Sequence, residues 1–300
     1  FKQGWFGQFA HDRPSDEIVG RPGDWWPVAM EFLDKFVAGS PTAKPEAGNK
    51  VEVQEGDGRW RVEAQWPPAD TTVRRMALKG GTYTDDNTNS AEGKASTTNS
   101  GSTNPEPGKG IWSFTEPFPY EARLAGVPMV TVNASATTPQ ANMAVLLYDV
   151  APDNKATLVS RAAQKVNAES ITFDLYPNDW TFKKGHRIGV LIAPGDADWY
   201  LPTVVTNTPV DVSGGQLELP MLSYTRGDFL QEETGGNIDT RRPIEVAPFL
   251  EGNTTAFEFP AALTQRPANT QQGAVKPPAT AKKPANVLRL TRKVKRIKGK

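Results

Sequence analysis

Ala144-Val145-Leu146-Leu147-Tyr148-Asp149-Val150 is apolar at every position but one and is bounded by Asn142 on one side and Pro152-Asp153-Asn154 on the other. A run this short, rich in β-branched and aromatic side chains and closed by turn residues, reads as a strand rather than a helix. Its neighbours repeat the pattern: Val130-Thr131-Val132-Asn133-Ala134, Ile171-Thr172-Phe173-Asp174-Leu175 and His186-Arg187-Ile188-Gly189-Val190-Leu191-Ile192. Each is ended by Pro, Gly, Asn or Asp, and none keeps a 3.6-residue period long enough for a helix. The stretch 111–193 therefore predicts a packed antiparallel β-structure, a sandwich, with no helix between 125 and 193.

The composition bounds what surrounds this stretch. The chain has 300 residues, 37% of them hydrophobic, enough to bury a substantial core. No segment approaches the roughly 18 to 20 continuous apolar residues of a membrane span. There is no cysteine, hence no disulfide scaffold and no thiolate chemistry, which suits either the cytoplasm or the outside of a cell. The sequence starts at Phe1 without a signal-peptide pattern, so the expectation is that the natural protein begins further upstream. The net charge of zero hides an asymmetry. Beyond Glu258 there are 11 Lys or Arg and no acid, leaving 23 basic against 34 acidic residues in the body. An acidic body repels phosphate and argues against nucleic-acid binding by the folded part.

Towards the N-terminus, residues 1–20 place His11 in a Gly-rich loop after a short strand end. Histidine titrates near neutral pH and can act as general base and acid, but a loop histidine that only completes a hydrogen bond fits the same residues. Asp24 to Gly39 is the one clear helical pattern, with Val28, Met30, Phe32, Leu33, Phe36 and Val37 mostly on one side. A Pro/Ala/Gly linker covers 40–49. A hairpin follows, Lys50 to Gln54 and Arg59 to Ala64 about Gly56-Asp57-Gly58, then Trp66-Pro67-Pro68, which no interior strand accommodates. Val73 to Leu78 is a further strand, and Asp85 to Lys109 has the composition of a long exposed loop. Pro209 to Val212 and Gln216 to Pro220 read as two short strands, with Glu245-Val246 and Thr255 to Phe259 as final ones. From Thr264 the Pro/Ala/Thr/Lys composition is that of a linker, followed by a basic, β-prone tail.

Several of these segments, taken together, resemble the CocE/NonD-type serine hydrolases, the group of cocaine esterase-like enzymes and bacterial X-Pro dipeptidyl-peptidases. The opening Gly4-Trp5-Phe6-Gly7-Gln8-Phe9-Ala10-His11 is similar to the loop that delivers that family's catalytic histidine. Phe32-Leu33-Asp34-Lys35-Phe36-Val37-Ala38-Gly39 looks like its last hydrolase helix, with Leu33 standing where an aromatic is usual. Gly58-Arg59-Trp60-Arg61 with Trp66-Pro67-Pro68, Trp112-Ser113-Phe114-Thr115-Glu116-Pro117, Leu124-Ala125-Gly126-Val127-Pro128, Leu147-Tyr148-Asp149-Val150-Ala151-Pro152-Asp153 and Gly185-His186-Arg187-Ile188 fall in the family's order.

The resemblance implies a mainly β jelly-roll (galactose-binding-like) sandwich over 46–262, preceded by the C-terminal loop and helix of an α/β-hydrolase domain over 1–45 and followed by a linker and basic tail over 263–300. It implies that His11 is the triad base. A hydrolase triad runs Ser, Asp or Glu, then His, with Ser on a Gly-x-Ser-x-Gly elbow. No such elbow occurs here, so the nucleophile and the acid are expected upstream, in a catalytic domain of the same protein acting on a small ester or peptide. His186 is expected to be structural. No cofactor and no metal are expected, because Asp85-Asp86 and Asp196-Ala197-Asp198 lack the spaced oxygens of a calcium loop and read as turn chemistry. Trp60, Trp66, Trp112 and Trp180 read as rings buried beside strands, and Trp199 and Tyr200 as the aromatics best placed for exposure. The alternative is a non-catalytic β-sandwich module binding carbohydrate or a partner. The tail composition points to an extracellular or envelope setting, with the cytoplasm as the other possibility.

Overall fold

A computed structural model of the protein describes residues 3–7, 25–45, 50–86, 110–196, 204–227, 229–230 and 243–265. Its strands are β1 (Gln3–Phe6), β2 (Lys50–Gln54), β3 (Trp60–Glu63), β4 (Thr71–Leu78), β5 (Gly81–Thr84), β6 (Ile111–Phe114), β7 (Ala122–Gly126), β8 (Met129–Ala136), β9 (Asn142–Val150), β10 (Lys155–Lys165), β11 (Ser170–Asp174), β12 (Asn178–Phe182), β13 (Arg187–Ala193), β14 (Pro209–Leu222) and β15 (Ile244–Glu245). Two helices accompany them, α1 (Trp25–Phe36) and α2 (Ala247–Leu250). One sheet has the order β15-β10-β9-β13-β6. A second runs β11-β8-β14-β7-β12, with β4 and β5 also paired to β14. These two face each other across a shared core as a jelly-roll-like sandwich, and all their pairings are antiparallel. The stretch 125–193 contains no helix, as its pattern predicts.

The unbroken apolar run in β9 follows from its place. Met143, Val145 and Leu147 point into the core between the sheets, beside Leu124, Val132 and Leu217. Ala144, Leu146, Tyr148 and Val150 point the other way into a second cluster with Trp112, Phe114, Ile244 and Val246, against which Phe249 and Leu250 of α2 pack. A strand covered on both faces gains from apolar residues at every position, so it loses the alternation of a half-solvated strand.

Pro209 to Val212 and Gln216 to Pro220 are one strand of 14 residues, not two. Gly214 and Gly215 look like a turn in sequence, but they belong to a bulge: the pairing of β14 with β8 shifts register between Val212 and Gly214, and Gly214 has φ +131°. The bulge also changes phase. Before it the buried side chains are Val210 and Val212, and after it Leu217, Leu219 and Met221. Because side chains alternate with a period of two, the extra residue lets both halves face the same core. Gly215 admits no side chain, since a Cβ there would lie 2.3 Å from the Thr131 carbonyl oxygen.

A third, smaller sheet has the order β1-β2-β3. The 50–63 hairpin thus shares a sheet with β1 rather than with either sandwich sheet. β1 and β2 are parallel, with Gln3 opposite Lys50 and Phe6 opposite Val53. With α1 between them, β1, α1 and β2 have the order of a β-α-β crossover unit. Trp26, Met30, Leu33, Phe36 and Val37 of α1 and the residue after it are exposed, so much of the apolar side that the sequence predicts is left uncovered by the described residues. Of the expected final strands, Glu245-Val246 corresponds to β15, which runs one residue earlier, while 255–259 contributes only an isolated bridge from Phe257 to Met76.

The phase change gives a sharp test. Deleting Ser213 should turn Val210 and Val212 out of the core and abolish the cooperative urea transition, whereas Ser213→Ala, which keeps the bulge, should move stability by no more than about 1 kcal/mol.

Candidate functional site

His11, the residue that the sequence singles out, lies outside the described residues, as do Trp199 and Tyr200. What the structure describes is the strand that leads to His11, five positions before it, and the way that strand is held. β1 rests on β2, and the β2–β3 hairpin is tied to the sandwich by a buried cluster of charges.

Arg61 on β3 is at the centre. Its side chain is 1% exposed, and it donates Nη2 to Asp179 Oδ2 (2.5 Å), Nε to Glu63 Oε1 (2.8 Å) and Nη1 to Glu55 Oε1 (3.2 Å). Arg123 on β7 donates Nε and Nη2 to the other oxygen of Asp179, at 2.9 and 2.7 Å, and pairs with Glu55. Arg226 continues the chain of charges, donating to Glu63 (2.7 Å) and, through two nitrogens, to Asp70 (3.0 and 2.7 Å). At the rim Arg59 pairs with Asp57 and lies 3.8 Å over the Phe229 ring.

Guanidinium suits this position because it stays charged and presents five donors in a fixed fork. Burial disfavours the charge on Arg61, but Asp179, Glu63 and Glu55 more than offset it, so its pKa is raised. Burial likewise works against the Asp179 carboxylate, and Arg123 and Arg61 overcome it, holding its pKa below the ordinary 3.8. Glu55 goes the other way: burial outweighs Arg123 and its pKa is raised.

Next to Asp179, Trp180 makes a second tie. A Cβ on Gly56, in the hairpin turn, would fall 2.5 Å from the Trp180 ring, so the indole lies flat against that turn. The Gly56 N–H donates to the Asp179 carbonyl at 2.9 Å. Trp180 Nε1 donates to Asp149 Oδ2 on β9 (3.0 Å), and the other Asp149 oxygen contacts His186 Nδ1 (2.8 Å). Burial raises the pKa of Asp149 in spite of Trp180 and His186. His186 thus buttresses a buried carboxylate, and among the described residues no hydroxyl hydrogen-bonds its ring.

One residue of each acidic pair read as turn chemistry, Asp85 and Asp196, proves to be a buried clip, while Asp198 lies outside the described residues. Asp85 accepts two bonds from Asn142 Nδ2 (2.8 and 3.0 Å) and two from Thr206, at N (3.1 Å) and Oγ1 (2.8 Å). Asp196 accepts from Arg161 Nη1 at 2.6 Å. Among the described residues no group of three His, Cys, Asp or Glu could hold a metal ion. Trp60 and Trp112 are buried as expected; Trp66 and Trp180 are half-buried. A cavity of about 630 Å³ on the face of the seven-stranded sheet is lined by Thr82, Asn133, Ser135, Glu169, Asp211 and Ser213 among others, with no aromatic ring for a sugar to stack on.

Sequence reasoning quoted Arg61 and Asp149 inside motifs but missed Arg123, Asp179 and Arg226. The available signal was a charged residue inside an apolar strand, as in Ala122-Arg123-Leu124-Ala125. Asp179→Ala would leave two buried guanidiniums underpaired and should cost about 3–5 kcal/mol in a urea titration. The pH dependence has a definite sign. Since the folded pKa of Asp179 lies below 3.8, its pairing stabilises the fold above about pH 4, and that contribution is lost as the pH falls through the folded value. Glu55, with a raised folded pKa, contributes oppositely, its share being lost as the pH rises. The difference in Tm between the wild type and Asp179→Asn should therefore shrink from pH 6 to pH 3.

Comparison with known proteins places this geometry. The chain is 30% identical to a Rhodopirellula baltica protein named by assignment as a Xaa-Pro dipeptidyl-peptidase, over 37% of this chain and 22% of that one. Among solved structures it is similar to an aminopeptidase from a marine sediment Thaumarchaeota archaeon, with a TM-score of 0.52 and 17% identity, covering 73% of this chain and 49% of the other. It is also similar to an alpha-amino acid ester hydrolase, with a TM-score of 0.50 and 15% identity, covering 72% and 49%. At these identities the two structures speak for the fold alone. The chain spans about a fifth of the length of the curated relatives it matches and about half of these structures. The family profile of the X-Pro dipeptidyl-peptidase C-terminal non-catalytic domain matches residues 43–216, more than half of the chain, and with the sandwich those residues form, the protein belongs to that family.

Proposed function

We propose that the sandwich from about residue 46 onward is the non-catalytic, partner-binding part of a serine hydrolase, and that its partner is an α/β-hydrolase domain of the same polypeptide, whose C-terminal end is residues 1–45. The observation that carries this reading is the β1-α1-β2 unit. Parallel pairing is typical of sheets whose faces are covered by helices, and here a parallel pair stands at the edge of a small sheet, with a helix between its strands in the chain whose apolar residues are exposed. Exposed Trp26, Met30 and Leu33 on one helix, with Val37 just after it, form the kind of patch that marks a protein contact. The unit would then end the partner's sheet, and the sandwich, of the galactose-binding-like kind, would pack on it and help to wall its active site.

On this reading His11 follows the last strand of the catalytic sheet and serves as triad base, taking a proton from an upstream serine and returning it to the leaving group. The acyl-enzyme so formed would come from a small ester, as in an acyl esterase, or from an X-Pro peptide. The family match and the curated relatives, which are Xaa-Pro dipeptidyl-peptidases by name, support the X-Pro class. The Pro/Ala/Thr/Lys composition beyond Thr264 favours an extracellular or envelope setting.

The isolated 300 residues should show no turnover of activated esters or X-Pro amides above background. The longer protein with its upstream region should hydrolyse one of these, and His11→Ala in it should lower kcat by several orders of magnitude, about the scale of other triad deletions. Leu33→Asp should leave the Tm of the isolated chain almost unmoved and lower that of the longer protein by several degrees. Equal effects in both would remove α1 from the interface, and undiminished activity of His11→Ala would leave only the binding role.

A further inference from the structure

The clamp on the β2–β3 hairpin has a geometry that stability alone does not require. Neighbouring residues on a strand point to opposite sides, so Asp179 and Trp180 leave β12 in opposite directions, and the hairpin meets both. Arg61 reaches Asp179 from one side, the Gly56 turn rests on the Trp180 ring on the other, and the Gly56 N–H bonds to the Asp179 carbonyl between them. Trp180 is in turn fixed by Asp149 on β9, and Asp149 by His186 at the head of β13. Beyond the hairpin the same constraint passes to β1, paired with β2 over residues 3–6.

We propose that Asp179 and Trp180 are positioning residues, which set the orientation of β1, and of the catalytic domain that β1 belongs to, relative to the sandwich. The inference rests on the reading of β1 as part of a docked catalytic domain. Buried apolar contacts are non-directional and would hold the hairpin at less desolvation cost. Hydrogen bonds to fixed donors accept only one orientation. A sandwich that walls an active site must be registered to it within a fraction of an ångström, because a misplacement of about 1 Å costs about a hundredfold in rate.

The test uses the full-length protein with Asp179→Asn, which keeps shape and loses charge, and Trp180→Phe, which keeps most of the ring and loses its N–H. Each should lower kcat by about ten- to about a hundredfold with KM changed less than about twofold. Labelling of the nucleophile by a fluorophosphonate should stay stoichiometric, which shows that the loss is not unfolding. Hydrogen exchange at the amides of Gly4, Trp5 and Phe6 should quicken. Arg75→Ala, which breaks an exposed pair with Glu218, should change neither. Unchanged kcat in both variants, or unchanged exchange at β1, overturns the proposal even if Tm falls. If His11→Ala retains activity, it is the catalytic reading that fails, and exchange at β1 in the isolated chain still decides whether the clamp exists.

Discussion

Asp179 is a fully buried carboxylate that two guanidiniums reach from different strands, and this meeting of charges is what the seating of the small sheet on the seven-stranded one depends on. A carboxylate in such a place is tolerable only if it stays paired, and it stays paired only if β3, β7 and β12 keep their relative places. The hydrophobic core between the two large sheets would accept small slides. The ion cluster would not. It converts an apolar assembly with many near-equivalent packings into one with a single geometry.

From that point the structure reads outwards in both directions. On the sandwich side, Trp180 connects the cluster to Asp149 and His186, so the seven-stranded sheet, the five-stranded sheet and the hairpin turn meet at one indole. On the other side β2 carries β1, and α1 lies between the two in the chain. Met30 and Leu33 of α1 are exposed, and β1 is the edge strand of its sheet among the described residues.

The strands with compact apolar patterns closed by turn residues were legible in the sequence. β8, β9, β11 and β13 follow their apolar patterns to within two residues at either end, and α1 its periodicity. β14 was misread because Gly214-Gly215 is a turn signal by composition, and only the phase of the flanking Val and Leu residues betrays a bulge. β10 escaped because Arg161, Gln164 and Lys165 on a sandwich rim dilute its pattern. The ion cluster was illegible for a different reason: Arg61 and Asp179 are 118 residues apart, Arg123 and Asp179 are 56, and no local pattern announces a partner at that range. Asp85 and Asp196 looked like turn residues for the same cause, since the groups that bury them come from distant strands. His11 was reached through resemblance, a route that chain periodicity does not offer.

Heat acts unevenly on such a molecule. The hydration that buried charges give up becomes less favourable as temperature rises, so their desolvation penalty falls, while the gain per unit of buried apolar area levels off. The cluster of Arg61, Arg123, Arg226, Glu55, Glu63, Asp70 and Asp179 thus weakens less on warming than the aromatic and aliphatic contacts around it. In a protein built this way the seam between hairpin and sandwich outlasts the outer elements, and thermal fraying starts where apolar packing alone holds the chain, at α2 and the last bridges beyond it.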